Sequence, residues 1–393
     1  MSKNIPTLVM VGGGVQEAAA VEIVQSSGYR LLTTDINPDA KAFEKSNFTF
    51  CSDGRDIQKI SEYINSNKSD LNIKGIFTLT EMVETVAAVG NLCDLPSVSL
   101  KSAELCQNKI DSKEKWLHDG VPTPDGKIVK CIDEARVFLQ DQQKDCFVKP
   151  LTGSGGIGAS KISSNKELED YYSVNNPDEL LIEEHLQGEM LDLNGCFNEK
   201  GEFISLGCFE RSFNDDIVIE KSGIYPSSKH IDILNEAKDL TERAAKSLGI
   251  NWGPVKSDLI VTSSGVKVFE IAPRLHGPKG TVFLTSISGG TNHLVAILPI
   301  LIGSSFKNDE IKSPLFFSSF ELIMPPNKPF SSIDLTKDIK DIDEVLIFRS
   351  SSKNILKYAK SSDAIGYFFS KSKDSASLSI KNDHISKNIN FKD

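Results

Sequence analysis

The order of apolar and polar residues at the start of the chain predicts strands that alternate with helices. The apolar runs are TLVMV, YRLLTTD and KGIFTL, and the stretches with helical spacing are QEAAAVEIVQSSG, DIQKISEYINSN and EMVETVAAVGNLCDL. Such alternation is typical of a parallel sheet that is covered by helices and has a crevice at the carboxyl ends of its strands. We therefore predict a parallel α/β domain over residues 1–105.

The pattern changes after this domain. The stretch CQNKIDSKEKWLHDG predicts a helix that ends at Gly120, before the prolines of VPTP. The runs KIVKCID, EARVFLQDQQ and DCFVKP then predict a strand, a helix and a strand, and ASKISS predicts a strand that returns beside the last one. A helix at NKELEDYYSV and a strand at ELLIEEHL complete a small subdomain over residues 106–187.

Paired strands dominate the following segment. The runs MLDLNGCFN and EFISLGCFE predict a hairpin around a turn at 199–201, and VKSDLIVT and GVKVFEIAP predict another around 263–265. The helical stretch ILNEAKDLTERAAKSLGI lies between them. We predict an antiparallel-sheet subdomain over residues 188–310, and a β-rich portion of short strands with a polar tail over 311–393.

Composition and charge narrow the class of protein. The chain has 393 residues, of which 39% are hydrophobic and 25% charged, as is ordinary for a globular protein of two or three domains. Its 44 basic and 54 acidic residues give a net charge of −10, which argues against nucleic-acid and membrane partners. The start of the chain lacks a signal-peptide pattern, LVAILPILIG is too short to span a membrane, and the seven cysteines lack zinc-type spacing. We expect a cytoplasmic protein that meets anionic ligands with locally placed cations.

A glycine-rich loop follows a lysine in FVKPLTGSGGIGASK. A Walker A motif is excluded, because Ala159 and Ser160 stand where lysine and serine or threonine are required. The spacing G-x-G-x-x-G is present, but a dinucleotide fold needs a helix where ASKISS predicts a strand. A protein kinase would need a valine at position 160 and H-R-D and D-F-G motifs, which the chain lacks.

The remaining interpretation is a hairpin whose tip closes over phosphate groups, with Lys149 supplying a charge from the incoming strand. Backbone N–H groups approach phosphate oxygens closely where no Cβ intervenes. The alternative is a flexible surface turn. The tip residues are Gly153, Ser154, Gly155, Gly156 and Gly158.

Two acidic residues lie on the strands of the second predicted hairpin. Asp258 is on VKSDLIVT, Glu270 is on GVKVFEIAP, and Arg274 follows four residues later. Carboxylates on adjacent strands near a guanidinium suit magnesium that is shared between protein and polyphosphate. The alternative is that both acids lie on a solvated face.

Taken in order, these elements resemble the ATP-grasp superfamily, and in particular its carboxylate–amine ligases. The resemblance covers nearly the whole chain, and it is carried by MVGGGVQEAAA with Asp35, QNKIDSKEKW, DGVPTP, FVKP with its glycine loop, LIEEHLQGEM, GPVKSDLIV and VFEIAPRLHG. It implies an amino-terminal α/β domain, a lid subdomain, a catalytic antiparallel sheet and an appended β-rich portion. It also implies formation of an amide or peptide bond through an acyl phosphate, with release of ADP and phosphate.

The resemblance also implies roles for individual residues. Lys109 and Lys149 would hold the α- and β-phosphates of ATP, and the glycine loop would close over the triphosphate. Asp258 and Glu270 would bind two magnesium ions, for which manganese could substitute, and Arg274 would stabilise the charge that develops during phosphoryl transfer. Four residues would hold the adenine and ribose: Glu183, Glu184, Leu186 and Glu189.

Two further residues are candidates for contact with substrate. Arg211 in FERSFNDD could clamp a substrate carboxylate, although a surface arginine is the equal alternative. His276 in RLHGPKG could touch substrate, although a loop histidine near a site more often supports its neighbours through hydrogen bonds.

Two features complicate the resemblance. Members commonly have asparagine two residues after the glutamate that bridges the two magnesium ions, which the resemblance identifies as Glu270. This chain instead has Ala272, which has no ligand atom in its side chain. The amino-terminal glycines, followed by Glu17 and by Asp35, could also suggest NAD, but the corresponding unit of ATP-grasp enzymes usually helps to form the substrate cleft.

We therefore expect a homodimeric ligase that acts on a small-molecule carboxylate and an amine. One alternative is an ATP-grasp enzyme that activates bicarbonate or formate, as carboxylases and transformylases do. Another is a catalytically inactive ATP-binding regulatory protein, which Ala272 would explain.

Overall fold

The structure is a computed structural model that describes residues 4–142, 144–151, 158–214, 217–326, 328–335, 342–354 and 364–392. Within these ranges the strands of the first half of the chain are β1 (Thr7–Val11), β2 (Arg30–Asp35), β3 (Phe48–Cys51), β4 (Ile73–Thr78), β5 (Gly126–Val129), β6 (Cys146–Lys149), β7 (Ser160–Ile162), β8 (Leu180–Glu184) and β9 (Glu189–Phe197). Those of the second half are β10 (Phe203–Asn214), β11 (Ile217–Tyr225), β12 (Gly253–Thr262), β13 (Gly265–Ala272), β14 (Phe317–Ile323), β15 (Ser332–Asp334), β16 (Glu344–Ile347), β17 (Gly366–Ser372) and β18 (Asn390–Lys392).

The helices connect and cover these strands. They are α1 (Ala18–Ser26), α2 (Ile57–Asn67), α3 (Val83–Leu92), α4 (Leu100–Gln107), α5 (Lys109–His118), α6 (Ile132–Gln142), α7 (Asn165–Asn175), α8 (Ile231–Ser247), α9 (Thr285–Ile287), α10 (His293–Leu301) and α11 (Ser375–Asn388). None of the helices in the described ranges is both long enough and apolar enough to cross a membrane.

The amino-terminal strands form a parallel sheet in the order β3-β2-β1-β4, which confirms the predicted α/β fold. Leu8 and Met10 of β1 and Leu31 of β2 are buried in a cluster shared with α1 and α10. The edge strand β3 was not predicted, because FTFC has only four residues, of which alternate ones are exposed. The segment that follows β4 reaches the later part of the chain, where Glu81 contacts Arg274.

The small subdomain is an antiparallel sheet in the order β5-β8-β6-β7. Helices α6 and α7 bury Phe138, Leu139 and Leu168 against it. The predicted hairpin on either side of the glycine loop is confirmed, since Val148 pairs with Ser160. Of the loop itself, Gly153, Ser154, Gly155 and Gly156 lie outside the described residues.

The large sheet has the order β13-β12-β9-β10-β11-β14-β17-β16. Leu191 and Leu193 of β9 pack with Leu240 and Ala244 of α8 in one apolar cluster. Because successive residues of a strand point to opposite faces, the intervening Asp192 projects from the face that lies away from α8. The predicted hairpins are both confirmed, as β9 pairs with β10 and β12 pairs with β13.

The carboxyl-terminal segment contains the expected short strands, but they do not stand apart. Strands β14, β17 and β16 extend the large sheet beyond β11. Helix α11 lies in the stretch that we interpreted as a polar tail. Its sequence SASLSIKNDHISKN buries only Leu378, Asn382 and Ile385, so its apolar spacing is too sparse to show a helix.

Candidate active site

Three carboxylates form a row across the face of the large sheet that lies away from α8. Asp258 of β12 is paired directly with Glu270 of β13 and with Asp192 of β9. Residues directly opposite each other in antiparallel strands project from the same face. The structure therefore brings the two predicted metal ligands together and adds a third acid that sequence reasoning missed.

Asp258 is buried, and its charge is only partly compensated. Its Oδ1 lies 2.5 Å from Lys256 Nζ and 3.6 Å from Arg211 Nη1, yet it has no hydrogen bond of acceptable geometry. Burial and the neighbouring Asp192 charge raise the pKa of Asp258 to about 7, although the ammonium of Lys256 opposes the shift. An unsatisfied buried carboxylate oxygen beside a second carboxylate fits a magnesium site, because magnesium takes one or two protein carboxylates together with substrate phosphates. Among the described residues, no group of three or more His, Cys, Asp or Glu is arranged to hold a metal.

Asp192 is the centre of a cationic cluster. Arg211 Nη1 donates to both carboxylate oxygens of Asp192 at 3.0 Å, and its Nε donates to Glu220 at 2.7 Å. Burial alone would raise the pKa of Asp192, but the charges of Arg211 and Lys256 outweigh it and hold that pKa well below its ordinary value. Lys279 is the second partner of Glu220.

The two candidate substrate residues both belong to this cluster. Arg211 already binds two protein carboxylates, so its contact with a substrate stays a prediction. His276 Nε2 lies 3.2 Å from Asp192 Oδ2, and its backbone N–H donates to Asn194 Oδ1 at 2.7 Å. Burial lowers the pKa of His276, and the Asp192 carboxylate opposes that shift. The histidine is thus anchored beside the acid row.

The predicted phosphate-binding lysines lie on the other wall of the cleft. Glu183 of β8 is 5% exposed and lies between Lys149 of β6 and Lys113 of α5, with Nζ–O distances of 2.5 and 2.7 Å. Burial would raise the pKa of Glu183, but the two ammonium groups outweigh it and lower that pKa. Lys113 was missed, and its spacing of four residues from Lys109 on one helix was the signal that could have revealed it.

Two contacts join the small sheet to the edge strand of the large one, and a third joins the segment before the small sheet to that strand. Lys149 Nζ lies 5.9 Å from the centre of the Phe269 ring, and Lys267 of β13 forms an ion pair of 2.7 Å with Glu184. The backbone N–H of Val268 donates to the carbonyl of Pro122 at 2.9 Å. These contacts bring Lys149 of the small sheet close to the strand that carries Glu270, and we call this junction the cleft, with the two sheets as its walls.

Lys109 is the first residue of α5. Burial lowers its pKa, and of the charges that act on it Glu270 has the largest influence, followed by Lys149. Lys109 is therefore close enough to both walls to act on a ligand between them.

The remaining candidate nucleotide residues lie at the end of β8 and just after it. Glu184 accepts a hydrogen bond from the backbone of Asp125 at 3.0 Å, and Leu186 lies in the short connection to β9. Glu189 begins β9, has 71% of its side chain exposed and pairs with Lys229. Glu184 and Leu186 lie at the end of the small sheet and Glu189 lies at the start of a strand of the large sheet. Their roles in binding the base and the ribose stay predictions.

Gly158, the described residue of the glycine loop, has a constrained environment. Its φ is +75°, and a Cβ at this position would lie 2.7 Å from Pro150 Cγ. Its carbonyl accepts a hydrogen bond of 2.7 Å from the Tyr171 hydroxyl. Glycine is needed here for both the backbone angle and the close approach to proline.

The amino-terminal domain contributes an acid to the site. Arg274 is 5% exposed, and its Nη2 lies 2.6 Å from Oε1 of Glu81, which follows β4. Its Nη1 donates to the carbonyl of Leu275 at 3.0 Å, whereas its buried Nε has no partner. Glu81 was missed because nothing in TLTEMVET marks its distance from Arg274.

The amino-terminal glycines lie beside acidic groups. The backbone N–H of Gly13 donates to Asp35 Oδ2 at 2.8 Å, and burial raises the pKa of Glu17, with a further contribution from Asp35. Two carboxyl groups at this position disfavour the pyrophosphate of a dinucleotide.

Comparison with known proteins places this site in a family. A family model of the ATP-grasp domain matches residues 106–278, which include both walls of the cleft. An uncharacterized protein of Sinorhizobium fredii is 26% identical over 231 residues, which are 56% of this chain and 46% of that protein. A 3-methyl-D-ornithine–L-lysine ligase of Methanosarcina mazei is 24% identical over 198 residues, which are 48% of this chain and 46% of that ligase. The chain therefore spans less than half the length of each of these two relatives.

A solved structure matches the complete fold. The crystal structure of an L-amino acid ligase from Bacillus licheniformis aligns with a TM-score of 0.82 at 16% identity, over 100% of this chain and 99% of that one. Residues 106–278 thus match the ATP-grasp domain, and the solved structure shows that the fold is shared along the whole chain.

Proposed function

We propose that the chain is an ATP-dependent carboxylate–amine ligase that forms an amide or peptide bond through an acyl phosphate and releases ADP and phosphate. The observation that carries this proposal is the junction of the two sheets, where Lys149 lies beside Phe269, the chain neighbour of Glu270, and Glu270 is paired with Asp258. A triphosphate needs cations along its length and carboxylates where its metal is shared, and the two walls supply these separately.

The lysine wall would bind the α- and β-phosphates. Lys149 is directed by Glu183, whose second oxygen binds Lys113, so the ammonium of Lys149 is held by a buried carboxylate. Lys109 would approach the phosphates from the start of α5. Cations that are already fixed in position lower the free energy needed to reorganise the site during phosphoryl transfer.

The acid wall would hold magnesium through Asp258 and Glu270. When bound there, magnesium would neutralise the phosphate oxygens and lower the repulsion that a substrate carboxylate meets. Asp192 would not bind magnesium, because Arg211 and His276 already contact its carboxylate.

The reaction has two steps. A carboxylate oxygen attacks the γ-phosphorus, the bond to the β–γ bridging oxygen breaks, and ADP leaves. The amine then attacks the carbonyl carbon of the acyl phosphate, the carbon–oxygen bond breaks, and phosphate leaves as the amine loses a proton. Arg274 would stabilise the charge on the transferred phosphoryl group and on the acyl phosphate. The loop from Gly153 to Gly158 would exclude the water that hydrolyses this intermediate.

Amino acids are the substrate class that we propose. The relative from Methanosarcina mazei and the structure from Bacillus licheniformis are named as ligases of amino acids. In this chain, Glu81 places a carboxylate next to Arg274, so the substrate end of the cleft has both signs of charge, as an amino acid has.

Isotope transfer tests the proposal directly. The purified protein is incubated with Mg-ATP, with a panel of amino acids labelled with ¹⁸O in the carboxylate, and with unlabelled amine acceptors. We expect phosphate release that depends on the amino acid, one ¹⁸O atom in the released phosphate, and a product whose mass is that of both substrates less one water. Release that depends on bicarbonate or formate instead would contradict the proposal. So would a rise in melting temperature with Mg-ATP but no phosphate release with any acceptor.

A further inference from the structure

A buried lysine lies beside the acid row, opposite Ala272. Lys256 of β12 is paired with Ala272 of β13 and with Asn194 of β9, one row away from the paired acids. Its side chain is 8% exposed, and its position two residues from Asp258 places both on the same face of the strand. The ammonium group is therefore part of the wall that would face the triphosphate.

The contacts of this ammonium resemble those of a bridging cation. Its Nζ lies 2.5 Å from Asp258 Oδ1 and 3.6 Å from Asp192 Oδ2. Asp192 is further neutralised by Arg211 and contacted by His276. Lys256 therefore already neutralises part of the charge of Asp258, and the carboxylate of Glu270 is paired beside it.

Charge and space both limit how many divalent ions fit here. A second ion on the Asp192 side of Asp258 would have to approach a fixed ammonium within a few ångströms, and that repulsion is strong in a buried site. The opposing side chain, Ala272, extends no ligand atom to compensate. A lysine ammonium is a compact cation that is attached to the chain and needs no uptake from solution.

We propose that Lys256 takes the place of one divalent cation, so that the nucleotide-loaded site holds a single metal ion between Asp258, Glu270 and the phosphates. The proposal rests on the proposed nucleotide and metal site and specifies its composition. The protein itself then supplies, through the Lys256 ammonium, one of the positive charges next to the acid row.

Manganese binding measures this composition without reference to turnover. Free Mn²⁺ is counted by electron paramagnetic resonance while the full chain is titrated in the presence of saturating ADP. We expect about one tightly bound Mn²⁺ per chain in the wild-type protein. Two tightly bound ions would overturn the inference while leaving the proposed ligase function intact. Absence of any ADP-dependent Mn²⁺ binding would instead overturn the proposed function, and the inference with it.

Two variants separate the effect of Lys256 on the number of bound ions from the effect of Ala272. Ala272→Asn adds an oxygen ligand but keeps the ammonium, so one ion should still bind, and a second ion in this variant would contradict the role of Lys256. Lys256→Met combined with Ala272→Asn removes the charge at similar length, and we expect a second ion. One ion in a folded double variant would also count against the inference. The wild-type and Ala272→Asn measurements remain decisive if the double variant does not fold.

Discussion

Arg274 and Glu81 are 193 residues apart in sequence, yet the guanidinium Nη2 and the carboxylate Oε1 lie 2.6 Å apart. The contact joins the loop after β13 to the end of β4, so the amino-terminal domain helps to position the arginine that would stabilise the transferred phosphoryl group. The guanidinium is buried, whereas 40% of the Glu81 side chain is exposed, so a substrate can approach from the Glu81 side.

Glu81→Gln tests this positioning role. The variant keeps the shape of the side chain but removes its charge, and we expect kcat/KM for the amino-acid substrate to fall roughly tenfold to a hundredfold, because small displacements of a positioned group have effects of this size. The KM for ATP should stay near its wild-type value. Glu84→Gln, at an exposed position in α3, is the matched control. Equal losses in both variants would contradict a specific role for Glu81.

Lys149→Met tests the lysine wall. Loss of one preorganised charge at the transferring phosphates should lower kcat by about 10²–10³. Phosphate release at saturating ATP and amino acid measures the effect, and Lys144→Met, at an exposed position just before β6, should leave it unchanged. Wild-type turnover by a folded Lys149→Met protein would remove the residue from the proposed mechanism.

The buried Lys113–Glu183–Lys149 cluster should contribute to stability through its pairing. Glu183→Gln leaves two buried ammonium groups without a charged partner, and we expect the free energy of unfolding to fall by about 3–5 kcal/mol in urea titrations. Lys161→Met breaks an ion pair with Asp145 whose side chains are 50% and 35% exposed, and should cost at most about 1 kcal/mol. If the two substitutions lowered the free energy of unfolding equally, burial of the Glu183 ion pairs would not increase their contribution to stability.

The raised pKa of Glu321 predicts that the free energy of unfolding depends on pH. Burial is the largest cause that raises its pKa, from 4.5 to about 7, with the Lys221 charge opposing it. The folded state therefore binds the proton more tightly than the unfolded chain, and the stability that this provides is present below about pH 4.5 and is lost as the pH rises to about 7. In Glu321→Gln the side chain cannot titrate, so this loss of stability with rising pH should be absent.

Urea titrations at the two ends of that window measure the effect. The stability of Glu321→Gln relative to wild type should rise with pH by on the order of 2–3 kcal/mol. Glu344→Gln, at an exposed position in β16, should show no such trend. A constant difference between Glu321→Gln and wild type would contradict the raised pKa.

Gly158→Ala tests the base of the glycine loop. A Cβ would combine a left-handed φ of +75° with a contact of 2.7 Å to Pro150 Cγ. We expect a loss of unfolding free energy of about 2–3 kcal/mol, since the left-handed conformation alone costs roughly 1–2 kcal/mol in an L-residue. Gly120→Ala has a φ of +66° and no atom within 4 Å of its Cβ, so it measures the backbone contribution alone. A Gly158→Ala variant no less stable than Gly120→Ala would show that Pro150 moves aside.

Segments with regular apolar spacing were predictable from the sequence, because that spacing fits either a helix or a strand but not both. The parallel strands around β1, the hairpin between β6 and β7 and the pairing of Asp258 with Glu270 follow from local patterns and short turns. The four-residue strand β3 and the polar helix α11 were missed, because too few of their residues contact the core.

The sequence by itself determined the order of elements, the small antiparallel sheet with its lysine, and the two acids on a hairpin. Only the tertiary structure decided which charges meet. Asp192 joins the acid row through strand register, Lys113 shares Glu183 with Lys149, and Glu81 reaches Arg274 across the domains. The physical reason is that hydrophobic periodicity specifies which face of an element is buried, whereas a buried ion pair depends on distances between elements that are far apart in the chain.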